Sequence, residues 1–124
     1  MNIIIVGCGK VGHKLIEQLS KEQEHDITLI DTDAHVVSEM VNEYDVMGVV
    51  GSGVDADVLS EAGIAEADVV IAVAGSDELN LMICLMAKKF GNCQTIARVR
   101  KPEYFKSINR IKDDLGLAMV INPE

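Results

Sequence analysis

Aromatic residues are scarce in this chain, and their scarcity argues against one class of function. Phenylalanine, tyrosine and tryptophan together account for 3% of the 124 residues, and tryptophan is absent. Proteins that bind single-stranded nucleic acid commonly stack bases on aromatic rings, and four rings cannot build such a platform. The core must be aliphatic instead, and the 48% hydrophobic content is high enough to exclude a disordered chain.

Basic residues are few in this chain, and its apolar runs are short. The chain has 11 basic and 20 acidic residues, a net charge of −9, which repels phosphate backbones and anionic lipid. The longest apolar runs, residues 3–6 and 69–74, are far shorter than the roughly 20 residues of a membrane-spanning helix. We therefore expect neither nucleic acid as a partner nor direct insertion into a membrane.

The cysteine pattern lacks the spacings of disulfide frameworks and zinc sites. Cys8, Cys84 and Cys93 are odd in number and form no C-x-x-C pair. Reduced thiols are typical of a cytoplasmic protein. We expect no metal site, and no residue stands out as a general acid, base or nucleophile.

What is present is a regular alternation of strand and helix patterns. It predicts an α/β fold in one domain, a doubly wound, parallel, six-stranded Rossmann-like sheet. The predicted strands are residues 2–6, 27–31, 46–50, 68–74, 94–99 and 117–121, and the predicted helices are 10–21, 34–43, 55–62, 77–90 and 102 to about 114.

A glycine-rich loop follows the first strand and opens the first helix. Its G-x-G-x-x-G pattern comprises Gly7, Cys8, Gly9, Lys10, Val11 and Gly12. Gly7 allows a tight turn, Gly9 lets a phosphate approach the backbone, and Gly12 allows close packing of helix on strand. The helix N-terminus and Lys10 supply positive potential for phosphates.

An acidic residue ends the second strand near the spacing expected for ribose recognition. Asp31 lies 24 positions after Gly7, and its carboxylate can accept both ribose hydroxyls of an adenosine. It would repel a 2′-phosphate. The next residue, Thr32, is included in the predicted cofactor site, and neither Thr32 nor Asp33 is an arginine that could receive such a phosphate. NAD(H), ATP or ADP therefore fits better than NADP, and Asp33 is interpreted as a helix cap.

Three further segments are predicted to follow strands at the same edge. Ser52 and Gly53 follow the third strand, where their backbone either lies against adenine or forms a simple turn. Ala74 and Gly75 follow the fourth strand, where the glycine leaves room for a ligand. Arg98 ends the fifth strand and contacts a phosphate or an acidic residue of a partner, or else faces solvent.

Several stretches of the chain resemble the nucleotide-binding domain of TrkA/KtrA-type potassium-uptake regulators, known as the RCK or KTN domain. They are IIIVGCGKVG, LIDTD, VVGSGVDADVLSEAGIAEADVVIAVAGSDELN, IARVR and INPE. The resemblance covers essentially all of residues 1–124, and implies that they form one such domain at the N-terminal part of a longer protein. It places ligand contacts at residues 7–11, Asp31, Ser52 and Gly53, Ala74 and Gly75, and Arg98.

The resemblance also implies a function. Members of this family are cytoplasmic, non-enzymatic subunits that form homodimers or larger rings on a membrane potassium channel or transporter. They bind NAD(H) or ATP/ADP and gate potassium flux at the inner face of the membrane. Some bind a divalent ion at a glutamate matching Glu124. Acidic residues are frequent at position 52, threonine at 74 and, in ATP-sensing members, arginine at 10. Lys10 therefore leaves NAD and ATP as alternatives.

Two other functions are compatible with the same residues. One is an NAD-dependent oxidoreductase without its substrate domain, although no histidine, lysine or tyrosine is identifiable as a proton donor. The other is a redox sensor that works through Cys8, because a helix N-terminus lowers the pKa of a thiol.

Overall fold

Residues 1–122 fold into six parallel strands and five α-helices that alternate along the sequence. The structure is a computed structural model, and it describes residues 1–122. The strands are β1 (Asn2–Val6), β2 (Asp26–Asp31), β3 (Met47–Val50), β4 (Val69–Ala72), β5 (Gln94–Arg98) and β6 (Met119–Ile121). The helices are α1 (Lys10–Leu19), α2 (Ala34–Glu43), α3 (Ala56–Glu61), α4 (Asp77–Phe90) and α5 (Pro102–Ile111), with a 3₁₀ turn at Ile64–Glu66.

The strands form one sheet in the order β3-β2-β1-β4-β5-β6, and every neighbouring pair is parallel. Ile3 in the central strand β1 pairs with Ile27 of β2 on one side and Val69 of β4 on the other. The strand order reverses between β1 and β4, which is where ligands bind in open α/β sheets. The predicted doubly wound fold is confirmed.

Helices cover both faces of the sheet, so alternate strand residues enter two separate cores. Ile3 and Ile5 of β1 pack with Ile16 of α1 and Val37 of α2. Ile4 and Val6 point the other way, and their core contains Leu59 of α3, Ile83 of α4 and Phe105 of α5. Strands buried on both faces explain the nearly continuous apolar strand patterns in the sequence.

Several predicted elements are shorter in the structure than the sequence indicates. Helix α1 ends at Leu19 rather than residue 21, α3 ends at Glu61 rather than residue 62, β5 ends at Arg98 rather than residue 99, and β6 begins at Met119 rather than residue 117. Strand β4 ends at Ala72 rather than Ala74, because the Ala74 N–H is bound by a side chain instead of a neighbouring strand. Helix α5 ends at Ile111 rather than near Asp114, and a turn closes at Gly116 with a φ of +70°. Within residues 1–122, no helix is both long enough and apolar enough to cross a bilayer.

Candidate functional site at the carboxyl edge of the sheet

The glycine loop turns sharply out of β1 at Gly7. This residue has a φ of +101°, and a Cβ there would lie 2.7 Å from the backbone nitrogen of Ala74. Its N–H donates to the Ile30 carbonyl of β2 at 2.9 Å. Only glycine suits this position, because both the backbone conformation and the close approach of the β4 exit exclude a side chain.

The two other glycines of the loop differ in what surrounds them. A Cβ on Gly9 would meet no atom of residues 1–122 within 4 Å, so the backbone there is open to a ligand. A Cβ on Gly12 would lie 2.1 Å from the Gly7 carbonyl oxygen and 3.4 Å from the Val73 side chain. The tightest approach of Gly12 is therefore to the loop itself rather than to a strand, which refines the predicted role of this glycine.

Among the described residues, no side chain caps the N-terminus of α1. Gly9 occupies the capping position, and the first turn contains no acidic residue. In contrast, Asp33, Asp55 and Ser76 cap α2, α3 and α4 through their side chains. The first-turn N–H groups of α1 therefore remain available to an anion, with the exposed Lys10 at the same end of the helix.

Asp31 links the end of β2 to the glycine loop. One carboxylate oxygen accepts the Cys8 N–H at 2.8 Å and the other accepts the Asp33 N–H at 2.9 Å. Each oxygen has a second lone pair, so the carboxylate can still accept hydroxyl donors. Asp33 in turn accepts the His35 N–H at 3.0 Å, which confirms that it is a helix cap.

A cavity of about 90 Å³ at this edge brings together part of the predicted site. It lies beside the strand-order reversal, with Leu79 and Ile83 of α4 contributing its apolar wall. The predicted residues that line it are Gly7, Asp31, Thr32, Ser52, Gly53 and Ala74. This volume is smaller than that of a typical ligand pocket, about 300–1,000 Å³, so it can hold only one part of a nucleotide.

Gly53 is needed for packing rather than for loop flexibility. A Cβ there would lie 2.5 Å from Val6 and 3.2 Å from Ile83. The neighbouring Ser52 hydroxyl accepts the Val54 N–H at 3.3 Å, which orders the turn. The backbone of this turn therefore forms a fixed wall of the cavity.

A buried amide that the predicted site did not include holds two of the loops in place. Asn80 of α4 is 1% exposed. Its side-chain oxygen accepts the Ala74 N–H at 2.7 Å, and its amide donates to the carbonyls of Ala74 and Arg98 at 3.1 and 2.9 Å. The sequence signal is a single amide among the mainly apolar residues in the middle of α4.

Asp77 forms a second link between α4 and the segment after β5. Its two carboxylate oxygens accept the N–H groups of Arg100 and Lys101, each at 2.9 Å. Burial alone would raise the pKa of Asp77, but these hydrogen bonds and the two cationic side chains hold it below its ordinary value. The Arg100 side chain donates to the Gly75 carbonyl at 3.0 Å, so it is tied to the β4 exit.

The remaining predicted residues lie around the cavity rather than in its wall. Gly75 lines an adjacent open cleft of about 570 Å³, together with Ser76, Arg100 and Lys101. Arg98 is half-buried at the end of β5, and its Nε is buried without a hydrogen-bond partner among the described residues. An unpaired buried guanidinium nitrogen is unfavourable unless an acceptor arrives. Glu124 lies outside the described residues.

The environment of Cys8 does not favour a reactive thiolate. Burial and the nearby Asp31 carboxylate raise the pKa of Cys8 above its ordinary value. A helix N-terminus by itself is expected to lower the pKa of a thiol. The negative charge of Asp31 is one reason why the pKa of Cys8 is raised instead.

Together the sheet topology and the cavity at its carboxyl edge define a doubly wound α/β domain of the Rossmann-like class. The family description "TrkA-N domain" matches residues 3–123, so the chain belongs to the TrkA-N family. Curated relatives named Trk system potassium uptake protein TrkA include one from Halomonas elongata, 44% identical over the whole chain, and one from Haemophilus influenzae, 37% identical over the whole chain. The chain spans 27% and 28% of their lengths, respectively.

Solved structures share the fold at low sequence identity. The "GsuK channel bound to NAD" has a TM-score of 0.80 and 24% identity, covering 97% of this chain and 21% of that one. The TrkA-N domain of the inner membrane protein ybaL from Escherichia coli has a TM-score of 0.83 and 21% identity, covering 98% and 86%. Another GsuK structure is bound to ADP. At this identity, the similarity establishes the fold.

Proposed function

We propose that this chain is a regulatory nucleotide-binding domain of a potassium-uptake system and not an enzyme. The observation that carries the proposal is the uncapped N-terminus of α1, which lies beside a carboxylate, Asp31, at the strand-order reversal. The curated relatives are named as potassium uptake proteins, which supports a role in potassium transport. The proposed ligand is NAD(H), ATP or ADP.

We assign different predicted residues to the phosphates, the ribose and the base of the ligand. The amide groups of the glycine loop, with Lys10, hold phosphate oxygens, and the open backbone at Gly9 allows the approach. Asp31 and Thr32 bind the adenosine ribose, and the turn at Ser52 and Gly53 lies against the base. The remaining members of the site are Cys8, Val11, Gly12, Ala74, Gly75 and Arg98.

Arg98 is the residue whose present surroundings most clearly fit an anion. Its buried Nε lacks an acceptor among the described residues, and Asn80 fixes its backbone carbonyl. A phosphate oxygen of the ligand would supply the missing acceptor and pair with the guanidinium charge.

The regulatory step follows from differential affinity. A nucleotide shifts an equilibrium between two assembly states only if it binds one of them more tightly. We propose that the chain acts in the cytoplasm at the inner face of the membrane. It associates there with a membrane potassium channel or transporter, as a homodimer or larger homo-oligomer.

Calorimetric titration with NAD⁺, NADH, ATP, ADP and NADP⁺ tests the proposal. We expect saturable binding of at least one of the first four and at least about tenfold weaker binding of NADP⁺, because its 2′-phosphate meets Asp31. Absence of binding by all five would contradict the proposal.

An assay for hydride transfer separates this function from the oxidoreductase alternative. The chain would be mixed with NAD⁺ or NADH and a panel of hydroxy acids and aldehydes, and absorbance of the reduced cofactor followed. We expect no turnover. Turnover that disappears in the Asp31→Ala variant would establish the oxidoreductase instead.

A further inference from the structure

One corner of the sheet lies outside the cover that the helices provide. Ile4 of β1, Thr28 of β2 and Met47 of β3 are neighbours in the strand register, so their side chains point to the same face. Ile4 is 2% exposed, whereas Met47 is 72% exposed. Burial therefore declines along this row from the centre of the sheet to its β3 edge, at the amino ends of the strands.

The short helix α3 accounts for the uncovered corner. This helix has six residues and is about 9 Å long, whereas the six residues of β2 extend over about 20 Å. Towards the carboxyl ends of the strands, Leu59 of α3 packs in one core with Ile30 and Val49. Towards the amino ends, Thr28 and Met47 line an open groove instead.

We call this feature the amino-edge groove, and it has a volume of about 270 Å³. The strands form its floor and the turn between α3 and β4 forms its wall. The lining includes Ile4, Thr28, Met47, Ala62, Gly63 and Ala67. Gly63 begins the turn with a φ of +88°. Among residues 1–122, a Cβ on Gly63 would meet one atom within 4 Å, a Glu66 carboxylate oxygen at 3.9 Å, so this wall is open to a partner.

The charged side chains that line the groove are acidic. Asp26 and Glu66 are both exposed at its rim. Among residues 1–122, neither carboxylate is in a salt bridge, and no lysine or arginine lines the groove. The Met1 ammonium lies at the same edge of the sheet and donates to the Glu24 carbonyl at 2.9 Å. The groove therefore combines a partly apolar floor with an acidic rim.

Charge complementarity indicates which partner fits this groove. A second copy of the chain has a net charge of −9 and would bring more negative charge to the acidic rim. Anionic lipid is repelled for the same reason. Cytoplasmic segments of membrane proteins, in contrast, carry an excess of lysine and arginine. Such a segment can place an apolar side chain on Met47 and a cationic one beside Asp26 or Glu66.

We propose that the amino-edge groove binds a basic cytoplasmic segment of the membrane partner, anchored by an apolar side chain. The proposal rests on the proposed function and names the surface through which the chain meets that partner. The groove lies at the amino ends of β1 and β2, whereas the glycine loop and Asp31 lie at their carboxyl ends. The partner and the nucleotide therefore have two distinct sites, as allosteric coupling requires.

Titration with synthetic peptides tests the groove. The probe is a short fluorescent peptide in which leucines are flanked by lysines, and its two controls have glutamate for lysine or serine for leucine. By fluorescence anisotropy, we expect the probe to bind at least about tenfold more tightly than either control. Amide chemical shifts should change most at Thr28, Met47 and Gly63. No binding, equal binding of the serine peptide, or larger shift changes elsewhere would overturn the proposal.

Charge reversal at the rim tests the electrostatic part of the proposal. Asp26→Lys combined with Glu66→Lys should weaken binding of the probe at least about tenfold. Glu39→Lys combined with Glu43→Lys is the matched control, because it changes the net charge equally at exposed positions of α2, which covers the other face of the sheet. At physiological ionic strength this control should change the affinity by less than about threefold. Equal weakening in both double variants would refute a specific site at the groove.

Substitution of the exposed methionine tests the apolar part. Met47→Ser should weaken binding of the probe at least about fivefold. Met119→Ser is the matched control, because Met119 is 51% exposed on β6, the edge strand on the opposite side of the sheet, and it should bind the probe like the wild type. Equal effects of the two substitutions would overturn the proposal. Dissociation of a wild-type oligomer by Met47→Ser, measured by sedimentation equilibrium, would also overturn it, since the groove would then bind a second copy.

Nucleotide titration keeps this proposal separate from the proposed function. The double variant of Asp26 and Glu66 should bind NAD⁺ and ADP like the wild type, which also shows that it is folded. A wild-type chain that binds nucleotide but not the probe would count against the groove alone. A wild-type chain that binds the probe at the groove but binds no nucleotide would support the groove and contradict the nucleotide site.

Discussion

Asn80 offers a quantitative test of how the site is held together. Its side chain makes three hydrogen bonds to the backbone of the β4 exit and the end of β5 while being 1% exposed. Asn80→Ala removes all three and leaves the Ala74 N–H and two carbonyls without their partner. We therefore expect both a less stable domain and less well-ordered ligand loops.

The magnitude follows from the number of bonds lost. A buried hydrogen bond contributes about 0.5–1.5 kcal/mol net, and a group left unsatisfied costs about 1–3 kcal/mol. Asn80 makes three such bonds, and its amide nitrogen donates two of them. We therefore expect Asn80→Ala to lower the free energy of unfolding by about 3–4 kcal/mol. This is a large fraction of the total stability of a small domain, about 5–15 kcal/mol.

Urea unfolding followed by far-ultraviolet circular dichroism measures this loss. Asn109→Ala is the matched control, because Asn109 lies exposed on α5 and should change the free energy of unfolding by less than about 0.5 kcal/mol. If Asn80→Ala cost less than about 1 kcal/mol, the three bonds would not be holding the loops, and the reasoning would be refuted.

Three further predictions follow from neighbouring residues. Gly12→Ala should lower stability by about 1–3 kcal/mol, because its Cβ would meet the Gly7 carbonyl, whereas Gly9→Ala should leave stability unchanged and weaken nucleotide binding. Because the pKa of Asp77 is lowered in the folded chain, its carboxylate stabilises the fold above about pH 4. This stabilisation is lost as the pH falls through the lowered pKa. The free energy of unfolding of Asp77→Asn, measured against pH, should therefore lack the loss of stability that Asp77 causes at acidic pH. The raised pKa of Cys8 predicts slower alkylation by iodoacetamide at pH 7 than that of a free cysteine, and unchanged nucleotide affinity in Cys8→Ser.

Each of these predictions has an outcome that contradicts it. Equal effects of Gly9→Ala and Gly12→Ala on stability would contradict the finding that a side chain has room at position 9 but not at position 12. An Asp77→Asn variant with the acid dependence of the wild type would show that its carboxylate is not stabilised by the β5 exit. Rapid alkylation of Cys8, or loss of nucleotide dependence in Cys8→Ser, would revive the redox alternative.

The parts of the site that were predictable from the sequence are those encoded by local patterns. The glycine loop and Asp31 lie within one strand–helix–strand unit, so their spacing together with the strand and helix patterns around them predicts them. Asp33 was recognisable as a cap because its hydrogen bonds reach only two and three residues along the chain.

The parts that were missed depend on contacts between distant segments. Asn80 reaches Arg98, 18 residues away, and Asp77 reaches Arg100, 23 residues away. No local pattern encodes such pairs. The early end of β4 has the same cause, since Asn80 takes the Ala74 N–H that would otherwise extend the sheet.

Binding of NAD⁺ and ADP to Asp31→Ala tests the central proposal most directly. The variant loses the carboxylate that faces the cavity and also binds the Cys8 N–H at 2.8 Å. With Asp45→Ala as an exposed acidic control, calorimetry should show affinity about 10- to 100-fold below that of the wild type for Asp31→Ala alone. Wild-type affinity in Asp31→Ala, or an equal loss in Asp45→Ala, would contradict the assignment of the nucleotide to this edge of the sheet.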